Sequence, residues 1–410
     1  MKGHDQPMPK QPATAMNTSR KNYKFPWRQG NHFETLVDST RFLPRMLAAI
    51  DSARQYLLLE MYLVASGTVA DRLIQALLEA AEGGVQVYLL FDDYGTMQLE
   101  EEDRKRLLRP NIHSVYYNPL PSYSTLYNLY LIIWQRTYHG LYRNHRKLLL
   151  IDGKVAFVGG TGITDEVDSP TAPELRWRET MLELQGPVLG DWQQLFLESW
   201  NQYADEPLTL STLTPLAFAN GQPGRVTVNE VRSRMGIQRS LLKQLRHANQ
   251  RVWFATAYFI PSWSLRRKLK RAARAGVDVR LLLPGPVTDH PGARYASHRY
   301  YGRLLKSGIR IYEFRSRFFH AKTVLCDNWV SIGSCNFDRW NLQWNLEANQ
   351  EIDDPKLALT VAAIFSNDFE HSIEYTAEDW QQRSWHLRIL EWFWGRVDFL
   401  SLKIRQRRLP

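Results

Sequence analysis

Only two cysteines, Cys326 and Cys335, occur in 410 residues. That excludes a disulfide framework, and no Cys/His cluster stands at metal-ligand spacing, so a reducing compartment is expected, with no metal and no cofactor. The chain also lacks an uninterrupted run of about eighteen apolar residues, which excludes a spanning helix from expectation. Residues 1–25 are polar and lack the apolar centre of a signal peptide. A surplus of acid is missing too. The formal net charge is +10, which favours polyanionic partners: anionic lipid surfaces, nucleic acid or phosphorylated substrates.

What the chain has in quantity is aromatic side chains, with 14 Trp and 19 Tyr. Such residues suit an interface that is apolar on one side and wet on the other. Basic and aromatic together fit both a membrane surface and single-stranded nucleic acid, so composition does not choose. The hydrophobic content of 44% is that of a globular protein, and the length suggests two or three domains.

Internal repetition is the informative signal. His145-Arg-Lys147-Leu-Leu-Leu-Ile-Asp152 is followed by Gly159-Gly160, and His320-Ala-Lys322-Thr-Val-Leu-Cys-Asp327 by Gly333-Ser334. The offsets 320−145, 322−147 and 327−152 are each 175, and 333−159 is 174. Upstream, Leu77 to Phe91 resembles Leu269 to Leu283, each reading as a helix stopped by glycine (Gly84, Gly276) and then an alternating strand. Glu179 and Glu347 follow their histidines by 34 and 27 residues.

Two duplicated α/β lobes are therefore expected, at 21–204 and 225–383, each a mixed sheet flanked by helices. Residues 1–20 read as a disordered tail. The stretch 205–224, rich in Pro, Thr, Ser and Gly, reads as a linker. Residues 384–410 form a separate basic, aromatic, amphipathic segment.

On a strand, positions i and i+2 face the same way. His145 and Lys147 thus project together if Lys147–Asp152 is a strand, and His320 with Lys322 likewise. An imidazole beside an ammonium suits phosphate chemistry: lysine neutralises non-bridging oxygens, and histidine attacks phosphorus or protonates a leaving oxygen. One such site lacks a partner for the second role. Two facing sites supply a nucleophile and a general acid on opposite sides of phosphorus, as in-line displacement needs, and no metal is required.

The doubled motif resembles the HKD signature of the phospholipase D superfamily, and the similarity runs from Gly30-Asn31 to about Arg383. More narrowly the chain is similar to bacterial cardiolipin synthases of the short type without N-terminal membrane spans. Carrying residues include Tyr258-Phe-Ile-Pro261, Leu281-Leu-Leu-Pro284, Gly333-Ser-Cys-Asn336-Phe-Asp338-Arg339, Asn345-Leu-Glu347 and Trp177-Arg-Glu179-Thr. The resemblance implies one active site at the interface of two pseudo-symmetric lobes, and a phosphatidyl-histidine intermediate. By analogy His145 is the nucleophile, His320 the general acid, and Lys147 and Lys322 hold the phosphate oxygens. Glu179 and Glu347 match the carboxylates that hold the histidines, commonly across the lobe boundary. Asp152 and Asp327 are expected to organise the motif; Gly160, Ser334 and Asn336 complete the supporting set. The family pattern places Asn at the position of Asn336, but the first half has Gly162. Backbone N–H groups, Thr161 or Thr164 are the expected substitutes there.

Two segments point to lipid. Residues 120–136 are aromatic and branched, too short to span a bilayer but able to lie in its interface or to form a core helix. Residues 385–410 carry Trp385, Trp392, Phe393, Trp394 and Phe399 with six basic side chains against Glu391 and Asp398, the composition of an interfacial helix on anionic lipid. The expected partner is an anionic membrane containing phosphatidylglycerol and cardiolipin, met peripherally at the cytoplasmic face of the inner membrane; nucleic acid is not expected. The alternatives are a phospholipase D using water, a phosphodiesterase on nucleic acid, and a lipid-binding scaffold without turnover.

Overall fold

The computed structural model describes residues 25–119, 142–169, 172–230, 234–338 and 341–407. The aromatic stretch 120–136 therefore lies outside the described residues. In the first half the strands are β1 (Arg28–Val37), β2 (Tyr56–Met61), β3 (Gln86–Asp92), β4 (Ile112–Tyr117), β5 (Leu148–Ile151), β6 (Val155–Gly159) and β7 (Thr180–Gln185). They lie in the order β4–β3–β2–β5–β6–β7–β1, parallel among β2, β3 and β4 and antiparallel elsewhere.

The second half has β8 (Gln222–Glu230), β9 (Arg251–Ala255), β10 (Asp278–Pro284), β11 (Arg310–Phe314), β12 (Thr323–Cys326), β13 (Trp329–Gly333), β14 (Asn345–Asp353) and β15 (Ser372–Tyr375). Its order, β15–β11–β10–β9–β12–β13–β14–β8, repeats the first sheet strand for strand and adds β15 at the far edge. The two sheets join where β1 meets β8, through Arg28 opposite Gly224 and Asn31 opposite Gln222. Because β8 starts at Gln222, the last three residues of the stretch read as a linker belong to a strand.

Helices α1 (Ser39–Asp51) and α2 (Thr68–Glu82) cover the first sheet. On α1, Phe42, Leu43, Met46 and Ile50 fall on one stripe at helical spacing and are buried. Helices α5 (Gly236–His247), α6 (Trp263–Arg274) and α7 (Pro291–Leu305) cover the second, while α3 (Glu101–Arg106), α4 (Val188–Tyr203) and α8 (Pro355–Glu370) complete the main body. Two further helices, α9 (Ala377–Gln382) and α10 (Trp385–Arg407), follow β15.

Alternation along the strands divides the apolar residues between an outer core in each lobe and a shared one between them. Leu58 of β2 joins the shared core while Leu57 and Leu59 face the first lobe's helices. Trp253 and Ala255 of β9 join it from the other side, while Val252 and Phe254 face the second lobe's helices. Each sheet is covered on both faces, which is why its strands read as near-continuous apolar runs.

Candidate active site

The motif strands β5 and β12 are only four residues long. They begin one residue past the lysines, within the strand expected over 147–152, so His145–Lys147 and His320–Lys322 are not part of a ladder within their own sheets. Backbone bonds to the opposite lobe hold them. Arg143–Asn144 pairs in parallel with Asn345–Leu346, and the His145 N–H donates to the Leu346 carbonyl at 3.0 Å. In the other half the Arg178 N–H donates to Phe318 O at 2.8 Å, and the His320 N–H donates to Arg178 O at 2.9 Å. Leu346 and Arg178 immediately precede Glu347 and Glu179, so this register delivers each glutamate to the other lobe's histidine.

The result is a pair of crossed contacts. His145 Nδ1 lies 2.9 and 3.1 Å from the two carboxylate oxygens of Glu347. His320 Nδ1 lies 2.7 Å from Glu179 Oε2. A carboxylate on Nδ1 fixes that nitrogen as the N–H and leaves the lone pair on Nε2. Lys147 Nζ donates to His145 O at 2.5 Å, and Lys322 Nζ donates to His320 O and stands 3.7 Å from Glu179 Oε2. Each histidine also meets an aromatic ring from the first lobe: Tyr62 at 4.7 Å from His145 and Trp177 at 4.6 Å from His320, between centroids.

The two halves differ beneath the glutamates. Ser334 Oγ donates to Glu347 Oε2 at 2.5 Å. At the matching Gly160 there is no room for such a group, since a Cβ would come within 2.6 Å of Glu179 Oε2 and 2.7 Å of Lys322 Cδ. Lys322 thus approaches Glu179 closely. Burial pushes Glu179 up, but Lys322 and His320 outweigh it and hold the carboxyl below its ordinary value. Burial dominates at Glu347 and pushes it up to about 8, against the pull of Lys147.

Burial likewise lowers Lys147 to about 7 and Lys322 to about 8, and it lowers both histidines, His320 to about 4 with Lys322 adding to the effect. The open cavity above them holds about 440 Å³ and is lined by residues of both lobes, His145, Lys147, Gly160, His320 and Asn336 among them. Among the described residues no group of His, Cys, Asp and Glu is arranged to hold a metal ion. Two imidazoles with opposed supports over one cavity can attack and protonate on opposite sides of a phosphorus.

Asp152 and Asp327 stand away from this cavity, at the far ends of β5 and β12. Both adopt left-handed backbone, with φ of 50° and 52°. Asp152 accepts from the N–H groups of Arg54, Gln55 and Tyr56, and Asp327 from those of Asn249, Gln250 and Arg251. Each carboxylate therefore ties its motif strand to the start of the neighbouring β2 or β9.

Asn336 lines the cavity, and its buried Oδ1 has no hydrogen-bond partner among the described residues. Gly162, at the equivalent place, is a glycine because a Cβ there would come within 2.9–3.0 Å of the Leu63 side chain. The threonines expected to stand in are already engaged: Thr161 Oγ1 donates to Gly162 O at 3.0 Å and Thr164 Oγ1 to Glu166. Tyr62, Trp177, Tyr258, Asp289 and Asp338 also line the cavity and were not singled out as site residues from sequence. Trp177, Tyr258 and Asp338 lie inside segments that carry the family resemblance; Tyr62-Leu-Val matches Tyr258-Phe-Ile of the other half, and Asp289 lies in a loop with no repeat signature.

Fold and site together define an enzyme of the phospholipase D class, two repeated lobes around one doubled His–Lys centre. Residues 46–171 and 241–369 match the family model described as cardiolipin synthase, phospholipase D-like domain, and the chain belongs to that family. It is 31% identical to cardiolipin synthase B of Shigella flexneri over 347 residues, covering 81% of this chain and 78% of that one. It is 32% identical to the major cardiolipin synthase ClsA of Bacillus subtilis over 370 residues, covering 88% and 74%. The crystal structure of a Haemophilus influenzae phosphatidylserine synthase superposes with a TM-score of 0.70 over 93% of this chain and 96% of that one, at 13% identity; that likeness shows the fold alone.

Proposed function

We propose that the chain is a phosphatidyltransferase of the cardiolipin synthase type, moving a phosphatidyl group onto phosphatidylglycerol through a phosphohistidine. The observation that carries this reading is the crossed pair: two imidazoles from two lobes over one cavity, each Nδ1 held by the other lobe's glutamate. His145 Nε2 attacks phosphorus, the bond to the headgroup oxygen breaks, and His320 gives that oxygen its proton. Glycerol, or another headgroup alcohol, departs. The hydroxyl of phosphatidylglycerol then loses its proton to His320 and attacks the phosphatidyl-histidine, freeing His145.

The unequal glutamates support these roles. Glu179, the carboxylate held low, favours the imidazolium form of His320 that an acid needs. Glu347, pushed up to about 8, supports a His145 imidazolium less strongly, which suits the histidine that must be neutral to attack. Burial lowers both histidines, and an incoming phosphodiester anion raises them, so His320 takes up its proton from solvent as substrate binds. Lys147 and Lys322 neutralise the non-bridging oxygens, and Asn336 adds a polar contact to the phosphate.

The enzyme works at an anionic membrane surface from the cytoplasmic side. No helix among the described residues is long and apolar enough to cross a membrane. Helix α10 supports a peripheral mode. Glu391 and Trp394 dock it on the second lobe, Glu391 toward Arg383 and His298 and Trp394 over Gly292, while Trp385 and Trp392 on its outer face are each 63% exposed.

The test is to incubate the purified protein with labelled phosphatidylglycerol vesicles. Cardiolipin plus glycerol is expected, and His145→Ala abolishes the label trapped on protein. Phosphatidic acid as the sole product would make the protein a hydrolase; label persisting on His320 in the variant would reverse the roles.

A further inference from the structure

Beyond the unequal supports of the two glutamates, the lobes differ at the cavity in the loops that follow the third strand of each. After β10, the loop reaches the cavity and puts Asp289 and His290 on its wall. Tyr258, also on that wall, donates its hydroxyl to Asp289 Oδ2. After β3, the equivalent loop stays off the wall. Asp92 there accepts from the backbone N–H groups of Gly95 and Asn144 at 3.0 and 2.8 Å and folds the loop back.

A carboxylate is a poor neighbour for a phosphodiester, because like charges repel in a partly desolvated site. It is a good neighbour for hydroxyl groups, since an ionised carboxylate only accepts hydrogen bonds and a polyol only needs acceptors it can reach. Asp289 has capacity to spare. Among the described residues Oδ1 meets only the Thr288 hydroxyl, at 3.4 Å, and His290 Nε2 is 3.8 Å from Oδ2. Its charge acts on His320 and Lys322, offsetting in part the lowering by burial, so it belongs to the His320 side.

We infer that Asp289, oriented by the Tyr258 hydroxyl, is the hydroxyl-reading subsite of the alcohol, the leaving headgroup in the first half-reaction and the acceptor in the second. This rests on the phosphatidyltransferase reading, in which His320 handles the alcohol's proton. In the second step the P–N bond to His145 breaks, a P–O bond forms to the acceptor, and the acceptor's proton passes to His320. Water fits the same step but offers no second hydroxyl for Asp289 to hold. The carboxylate thus biases the phosphohistidine towards polyols over water.

The experiment reads the partition of that intermediate, which does not depend on how much of a variant is folded. Wild type, Asp289→Asn, Asp289→Ala and Tyr258→Phe are given labelled phosphatidylglycerol vesicles, and the ratio of cardiolipin to phosphatidic acid is measured. A second arm competes free glycerol against 1-propanol as acceptor. The ratio is expected to fall at least fivefold in Asp289→Ala and less in Tyr258→Phe, with the glycerol preference falling in parallel. An unmoved ratio and preference in Asp289→Ala, whatever its total turnover, overturns the inference alone. Wild type that forms phosphatidic acid and no cardiolipin overturns the phosphatidyltransferase reading, and the inference with it.

Discussion

At the scale of single residues, the chemistry depends on ions held where water has little access. Lys147 and Lys322 are buried, and burial brings them to about 7 and about 8. A base lowered in this way is charged only below those values in the free enzyme. The kcat/KM for phosphatidylglycerol is therefore expected to fall as pH rises through about 7 to 8, because the free enzyme loses its ammonium groups. A bound phosphate favours the charged lysines, so kcat at saturating lipid falls only at higher pH. A pH profile in which the two parameters fall together would contradict this. For stability the sign is opposite: the unfolded chain keeps these protons to about 10, so folding gains as pH rises above the lowered values.

The unequal glutamates give a second residue-scale expectation. Glu179→Gln removes the charge that supports the His320 imidazolium, and kcat should fall by about 10- to 100-fold, the usual cost of losing such a partner. Glu347→Gln replaces a group already pushed towards its neutral form and should cost clearly less. Steady-state kinetics of the two variants decide it, and the reverse order would exchange the roles of the histidines.

At the scale of elements, the site is held by what lies just behind it. Arg178, whose backbone brackets His320, reaches across the lobes to Asp368 of α8 with bonds of 2.9 and 2.6 Å, and both side chains are buried. Asp368→Ala strands that guanidinium and should cost about 3–5 kcal/mol, visible as a lower urea midpoint. Helix α10 has a different duty on each face. Deleting it would also uncover His298 and Arg383, so outward substitutions are the cleaner probe. Trp385→Ala with Trp392→Ala should weaken binding to anionic vesicles while leaving turnover of detergent-solubilised lipid within about twofold, as for surface substitutions generally. Vesicle sedimentation beside a micellar assay tests this, and equal losses in both would assign the outer face to folding.

At the scale of the whole molecule, the lobes share one core and β1 joins β8 across the boundary. Neither lobe has a complete inner face alone. Trp253→Ala in the second lobe should cost about 3–5 kcal/mol and lower a single transition monitored in both lobes. Two separated transitions in calorimetry would show that the lobes unfold independently.

The sequence by itself determined the duplication, the α/β class and the histidines, lysines and glutamates placed here around one cavity. A repeat with a fixed offset is a property of the chain, and strand alternation and glycine stops are local. It also carried the candidate acidic partners, which the family resemblance set across the lobe boundary without the contacts that bring them there. That pairing comes from hydrogen bonds between residues 145 and 346, and 178 and 320, which only the assembled lobes create. The same limit applies to Gly160, a close-approach site for Lys322 and Glu179; to Thr161 and Thr164, spent on local bonds; and to Asp289, which no repeat marks. Side chains that meet from distant parts of the chain leave no period to read, because their spacing is set by how two sheets pack and not by the rise of any one element.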